Sequence, residues 1–147
     1  AEVHGMSQRG GDVQSNLRLS DKPIASDLIG KGQADLIISL EPMEALRYLP
    51  YLRKDGWLVT NSKPFINIPN YPEIAEVEKV INSLPHKVSL DVESIAQELG
   101  VPRVANMVML GASVPFLQIN YDKIAEIVQI NLTALQKGYE LAQAMKA

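Results

Sequence analysis

The run Asp35-Leu36-Ile37-Ile38-Ser39-Leu40, followed at once by Glu41-Pro42, constrains the fold more than any other stretch of this chain. A short, nearly unbroken apolar run has the look of a strand covered on both faces, as in a parallel sheet. Pro42 suits the first helical position, where its missing N–H would have no intrahelical partner. Ala45, Leu46 and Leu49 supply an apolar stripe for that helix, and Pro50 is placed to stop it. A strand running straight into a helix predicts an α/β layout.

The rest of the chain repeats the alternation. Val13–Leu19 sets Val13, Leu17 and Leu19 among polar residues and reads as a half-buried strand, with Asp21-Lys22-Pro23 turning the chain after it. Asp55-Gly56 reads as a turn before a strand Trp57–Asn61. A Pro-bearing segment from Ser62 to Tyr71 reads as an irregular crossover. Pro72 is placed to open a helix with Ile74, Val77, Ile81 and Leu84 on one face. Lys87–Leu90 reads as a strand, and Asp91 caps a helix to Leu99 that Gly100 and Pro102 close. Asn106–Ala112 reads as helical. Asn120 caps a final helical stretch with one break near Leu132. These spacings predict one domain over residues 1–147, an α/β three-layer Rossmann-like sandwich with a largely parallel or mixed sheet.

Composition narrows the chemistry. The 147 residues contain no cysteine, which excludes disulfides, thiolate nucleophiles, Cys-ligated zinc and any Fe–S cluster held by this chain alone. His4 and His86 are the only histidines and lie far apart in sequence, so no metal site is expected. Fourteen Lys and Arg against 17 Asp and Glu give a net charge of −3 without a basic stripe, so nucleic acid is not an expected partner. The longest uncharged stretch, Val104–Tyr121, contains Asn106, Gly111, Ser113, Pro115 and Gln118 and reads as a buried or interface segment. Neither membrane insertion nor export is expected, which predicts a cytoplasmic chain.

Two places could carry function. In His4-Gly5-Met6-Ser7-Gln8-Arg9-Gly10-Gly11-Asp12, paired glycines permit positive φ and a close backbone approach, and Arg9 offers a planar donor fork. The same residues also suit a plain tight turn into the next strand. A phosphate loop fits poorly, because its glycines should follow a strand and precede a helix. The second place is the carboxyl end of the strands, where open α/β sheets bind ligands. Glu41 and Asn61 fall there, as ligand-region residues or as caps of a helix and a strand. Asn106 reads as a buried amide or a contact residue, and His86 as a solvated surface histidine. No catalytic triad can be assembled from the spacing.

Glu2-Val3-His4-Gly5-Met6-Ser7-Gln8-Arg9-Gly10-Gly11, with Ala34–Arg47 containing Glu-Pro-Met-Glu-Ala-Leu-Arg, resembles the gamma-type domain of the 2-oxoacid:ferredoxin oxidoreductases. Within that family it is most like the small (beta) subunits of the indolepyruvate enzymes. Asp91–Gly100, Asn106–Ala112 and the ending around Asn131 and Gly138 extend the likeness along nearly the whole chain. Members begin with a strand and a Gly-x-Gly-Gly-Gln-Gly loop ahead of the His-Gly-Met motif. That portion is absent from this sequence, so the expected domain is N-terminally incomplete, without its first strand and with apolar surface uncovered.

The resemblance implies a non-cluster subunit, inactive in isolation. It would support CoA-dependent oxidative decarboxylation of an aryl pyruvate or another 2-oxoacid, with a large (alpha) subunit as partner and ferredoxin as electron acceptor of the complex. Thiamine diphosphate and Fe–S clusters would lie on the large subunit, with no cofactor bound by this chain alone. It implies that His4, Gln8, Arg9, Gly10 and Gly11 pack at the inter-subunit face, positioning a partner loop rather than making bonds. The alternative is a stand-alone Rossmann-like module that binds a nucleotide or CoA at Glu41 and Asn61. Self-association of the isolated chain is compatible with either reading.

Overall fold

A computed structural model describes residues 2–4, 13–66, 68–128 and 131–146. Strand β1 (Glu2–His4) pairs antiparallel with β2 (Val13–Ser15), His4 opposite Val13. The main sheet has the order β3 (Ala34–Ser39), β4 (Leu52–Asn61), β5 (Lys87–Leu90), and all its pairings are parallel. Helix α1 (Pro42–Tyr48) links β3 to β4, and α2 (Ile74–Ser83) links β4 to β5. Then follow α3 (Val92–Glu98), α4 (Ala105–Ser113), α5 (Tyr121–Val128) and α6 (Leu132–Lys146).

Strand alternation sorts the side chains into two cores. Leu58 points to one face and packs with Ala45 of α1 and Val77 and Ile81 of α2. Val59 and Val88 point to the other, against Val92 and Ala96 of α3, Val108 and Ala112 of α4, and Ala134 and Ala142 of α6. The result is the expected α/β/α sandwich. Helices α4 and α6 cross at backbone contact. A Cβ placed on Gly111 would lie 1.9 Å from the Leu135 carbonyl oxygen, and one on Gly138 the same distance from the carbonyl of Val108.

The expected caps are present. Pro42 opens α1, Asp91 accepts a hydrogen bond from Ser94 N at 3.0 Å, and Gly100 closes α3 at φ +75°. Asn120 Oδ1 accepts from Asp122 N at 2.8 Å, and the final helical stretch is divided just before Leu132. Other segments depart from expectation. Asp55-Gly56 is no turn but lies inside β4, where pairing jumps from Ala34↔Leu52 to Leu36↔Trp57. The bulge is clamped by Arg53, which donates to Asp55 Oδ2 at 2.6 Å and also to Asp35. This bonding holds the Asp55 carboxyl down to about 2. The expected strand Val13–Leu19 is only three residues long, and Leu17 and Leu19 are exposed. β3 is an edge strand among the described residues, and Ile38 is 46% exposed rather than covered on both faces.

Candidate functional site

The three parallel strands finish at one edge, at Ser39, Asn61 and Leu90. Asn61 organises that edge. Its side chain is buried at 1% exposure, because position 61 continues the alternation that turns Val59 toward α4. The amide nitrogen donates to the carbonyls of Leu40 (3.2 Å) and Lys63 (3.0 Å) and to the Glu93 carboxylate (3.0 and 3.2 Å). Its oxygen accepts from Lys63 N at 3.3 Å and Val92 N at 3.4 Å. One buried amide thus ties together the ends of β3 and β4, the start of the crossover and the start of α3, with its polar atoms satisfied.

Glu41 occupies the next position along the edge and has two bonds of its own. Oε2 accepts from Glu44 N at 2.9 Å and caps α1, while Oε1 accepts from the Tyr71 hydroxyl at 2.5 Å. Ser39 Oγ donates to the Glu41 carbonyl at 2.7 Å and fixes the turn between strand and helix. Partial burial, reinforced by the Glu41 bond, pushes the Tyr71 phenol above its ordinary range. The Asp91 carboxyl is held below its usual range, chiefly by the N–H of Ser94 and then by the Ser94 hydroxyl.

A groove of about 990 Å³ opens along the β3 edge, lined by residues that include Ile38, Phe65, Ile68, Met109, Glu41 and Glu93. Val13–Asn16, which follow the His4–Asp12 segment, line it too. Among the described residues its charges are three carboxylates, Glu41, Glu44 and Glu93, and one guanidinium, Arg47, which lies 3.3 Å from Glu44. Such an edge suits hydrogen-bond donors and cations, and disfavours the polyphosphate of a nucleotide or of CoA. Among the described residues no group of three or more His, Asp or Glu side chains could hold a metal ion. With no cysteine in the sequence, an Fe–S cluster has no thiolates here to bind. The donor set therefore does not fit such a cluster.

Glu41 and Asn61, the two strand-end candidates, are brought to one edge. Of the N-terminal candidates, His4 is described only as a β1 residue opposite Val13; Gln8, Arg9, Gly10 and Gly11 lie outside the described residues. Asn106 is exposed at the start of α4, because Val108, Met109 and Ala112 take the buried side of that helix. His86 is half-buried and stacks on Trp57 with centroids 5.1 Å apart, so it is not a freely solvated histidine. Sequence reading missed Tyr71 and Glu93. An acidic residue in the first turn after the Asp91 cap was a usable signal for Glu93, whereas nothing local marks Tyr71 as a partner of Glu41.

Comparison with known proteins agrees with the fold. The sequence pattern described as pyruvate ferredoxin/flavodoxin oxidoreductase matches residues 1–141. The chain is 32% identical to the indolepyruvate oxidoreductase subunit IorB of Thermococcus kodakarensis, over 98% of this chain and 80% of that protein. It is 34% identical to the subunit of the same name from Archaeoglobus fulgidus, over 97% and 79% respectively. The 2-oxoglutarate synthase subunit KorC of Methanocaldococcus jannaschii is 26% identical over 98% of this chain and 76% of its own length. A match of this extent, on an α/β sandwich with its polar cluster at the strand ends, shows that the chain belongs to the pyruvate ferredoxin/flavodoxin oxidoreductase family.

Proposed function

We propose that the chain is the non-cluster small subunit of a 2-oxoacid:ferredoxin oxidoreductase whose substrate is indolepyruvate or a related aryl pyruvate. The observation that carries this reading is the likeness to IorB subunits along nearly the whole chain, in a sequence without cysteine. A large subunit supplies thiamine diphosphate and the Fe–S clusters. Bound there, thiamine diphosphate would supply the decarboxylation chemistry for the 2-oxoacid and the clusters would supply electron transfer to ferredoxin. This chain contributes surface: His4, Gln8, Arg9, Gly10 and Gly11 pack at the inter-subunit face, and the Glu41–Asn61 edge adjoins the ligand region. The carboxylates at that edge favour CoA phosphates bound on or with the partner rather than here. The complex is cytoplasmic; no helix among the described residues is long and apolar enough to cross a membrane.

Reconstitution with the large subunit tests the reading. Ferredoxin reduction should depend on both chains, on CoA and on a 2-oxoacid, with indolepyruvate turned over faster than 2-oxoglutarate. Arg9→Ala should weaken assembly. A small subunit active by itself, or a large subunit fully active without it, would overturn the proposal. Calorimetry of the isolated chain with CoA should show no tight binding.

A further inference from the structure

The crossover between β4 and α2 presents two large apolar side chains to solvent on a braced support. Phe65 is 69% exposed and its neighbour Ile66 is 61% exposed. On one side Asn61 brackets Lys63, accepting from its N–H and donating to its carbonyl. On the other, Tyr71 is bonded to Glu41 at 2.5 Å. Pro64, Pro69 and Pro72 further limit the conformations open to the segment. A loop held at both ends loses less entropy on binding, so apolar residues at its tip are prepared for a pocket.

Charge decides what kind of pocket. Among the described residues, Glu41, Glu44, Asp91 and Glu93 stand at this edge against two cations, Arg47, which pairs with Glu44, and Lys63, which acts on Asp91. In a two-fold dimer through this face, the same acidic rim would meet itself. An anionic lipid surface would also repel it. A partner with a basic rim is the complementary surface.

Resting on the subunit reading above, we infer that Phe65 and Ile66 form a plug that enters an apolar pocket rimmed by Lys or Arg on the large subunit. The pairing is apolar at its centre and charged at its margin, the usual distribution at a specific interface.

The test uses the full chain and the large subunit, with assembly measured by surface capture over a range of salt. Phe65→Ala/Ile66→Ala should weaken assembly by about tenfold or more, while the isolated chain keeps its thermal midpoint, because both side chains are exposed. Tyr71→Phe should weaken assembly less, and added salt should weaken the wild-type complex. If the double variant assembles as tightly as the wild type, the plug is wrong and the subunit reading stands. If the wild-type chain does not assemble at all, the subunit reading falls and takes the plug with it. Self-association of the wild-type chain that the double variant abolishes would make a second copy the occupant and overturn the inference.

Discussion

The hydroxyl of Tyr71 donates to Oε1 of Glu41 across 2.5 Å, joining residues thirty positions apart while the other oxygen of that carboxylate caps α1. Tyr71→Phe should lower stability by about 1 kcal/mol, the scale of a partly exposed hydrogen bond to a charged acceptor. Its pH dependence has a definite sign. The phenol is raised in the folded state by desolvation first and the Glu41 bond second, so the native state holds this proton where the unfolded chain releases it. The contribution is complete below about pH 10 and is lost as pH rises toward the folded value. Urea midpoints measured into the alkaline range should fall more steeply for the wild type than for Tyr71→Phe; parallel curves would count against the bond.

Helices α4 and α6 leave no room for a methyl group where they cross. Gly138→Ala would put a carbon 1.9 Å from the Val108 carbonyl, and Gly111→Ala would do the same to Leu135. Backbone cannot swing aside as a side-chain tip can, so the helices must separate and the core between them must open. Either substitution should cost more than about 3 kcal/mol, above the usual range for overpacking. Chemical denaturation measures the loss, and Gly32→Ala is the contrast. No neighbour lies within 4 Å of a Cβ there, and only its φ of +70° is unfavourable, which should cost about 1 kcal/mol.

Acid stability should report on the α3 cap. The N–H of Ser94 lowers the Asp91 carboxyl, with a further bond from Ser94 Oγ at 2.7 Å. A depressed folded value means stability that is present above the unfolded value of about 3.9 and lost as pH falls through the folded one. Asp91→Asn keeps a capping oxygen but removes the titration. Its stability should decline less between pH 5 and the acid end of the profile, windows set at about those values by carboxylate linkage in general. An unaltered acid profile would count against this assignment.

Trp57 is the only tryptophan and stacks on both His86, at 5.1 Å, and Phe116, at 4.4 Å. Its fluorescence should therefore report on that stack. His86→Ala should bare part of the indole and move its emission to the red, and His86→Phe, which keeps a flat ring there, should move it less. Identical spectra for the wild type and His86→Ala would count against the stack.

Local chemistry made much of this fold legible. Pro42, Asp91 and Gly100 act through neighbours within a helical turn, and Lys87–Leu90 through its own alternation, so their roles can be read along the chain. Asp55-Gly56 resembles a turn for the same local reason, yet Arg53 secures it to Asp35 on the adjacent strand. Only tertiary pairing reveals that bulge. The strand-end site is similar: topology brings Glu41 and Asn61 to one edge, but their partners Tyr71 and Glu93 come from distant segments. His86 appeared solvated because nothing adjacent announces that Trp57 will cover it. Val13–Leu19 carries alternating apolar residues, but the strand pairing stops at Ser15.

The crossing of α4 with α6 also bears on how the chain is made. Ala134 and Ala142 complete the core on the α4 side of the sheet, and both belong to the last helix described. While the protein emerges from the ribosome, Val59, Val88 and Val108 remain without that cover until synthesis has passed α6. Until α6 is in place the nascent chain carries an uncovered apolar layer, the kind of exposed surface that chaperones engage. A truncation upstream of Leu132 would leave that layer open, so closing this side of the sheet waits on α6.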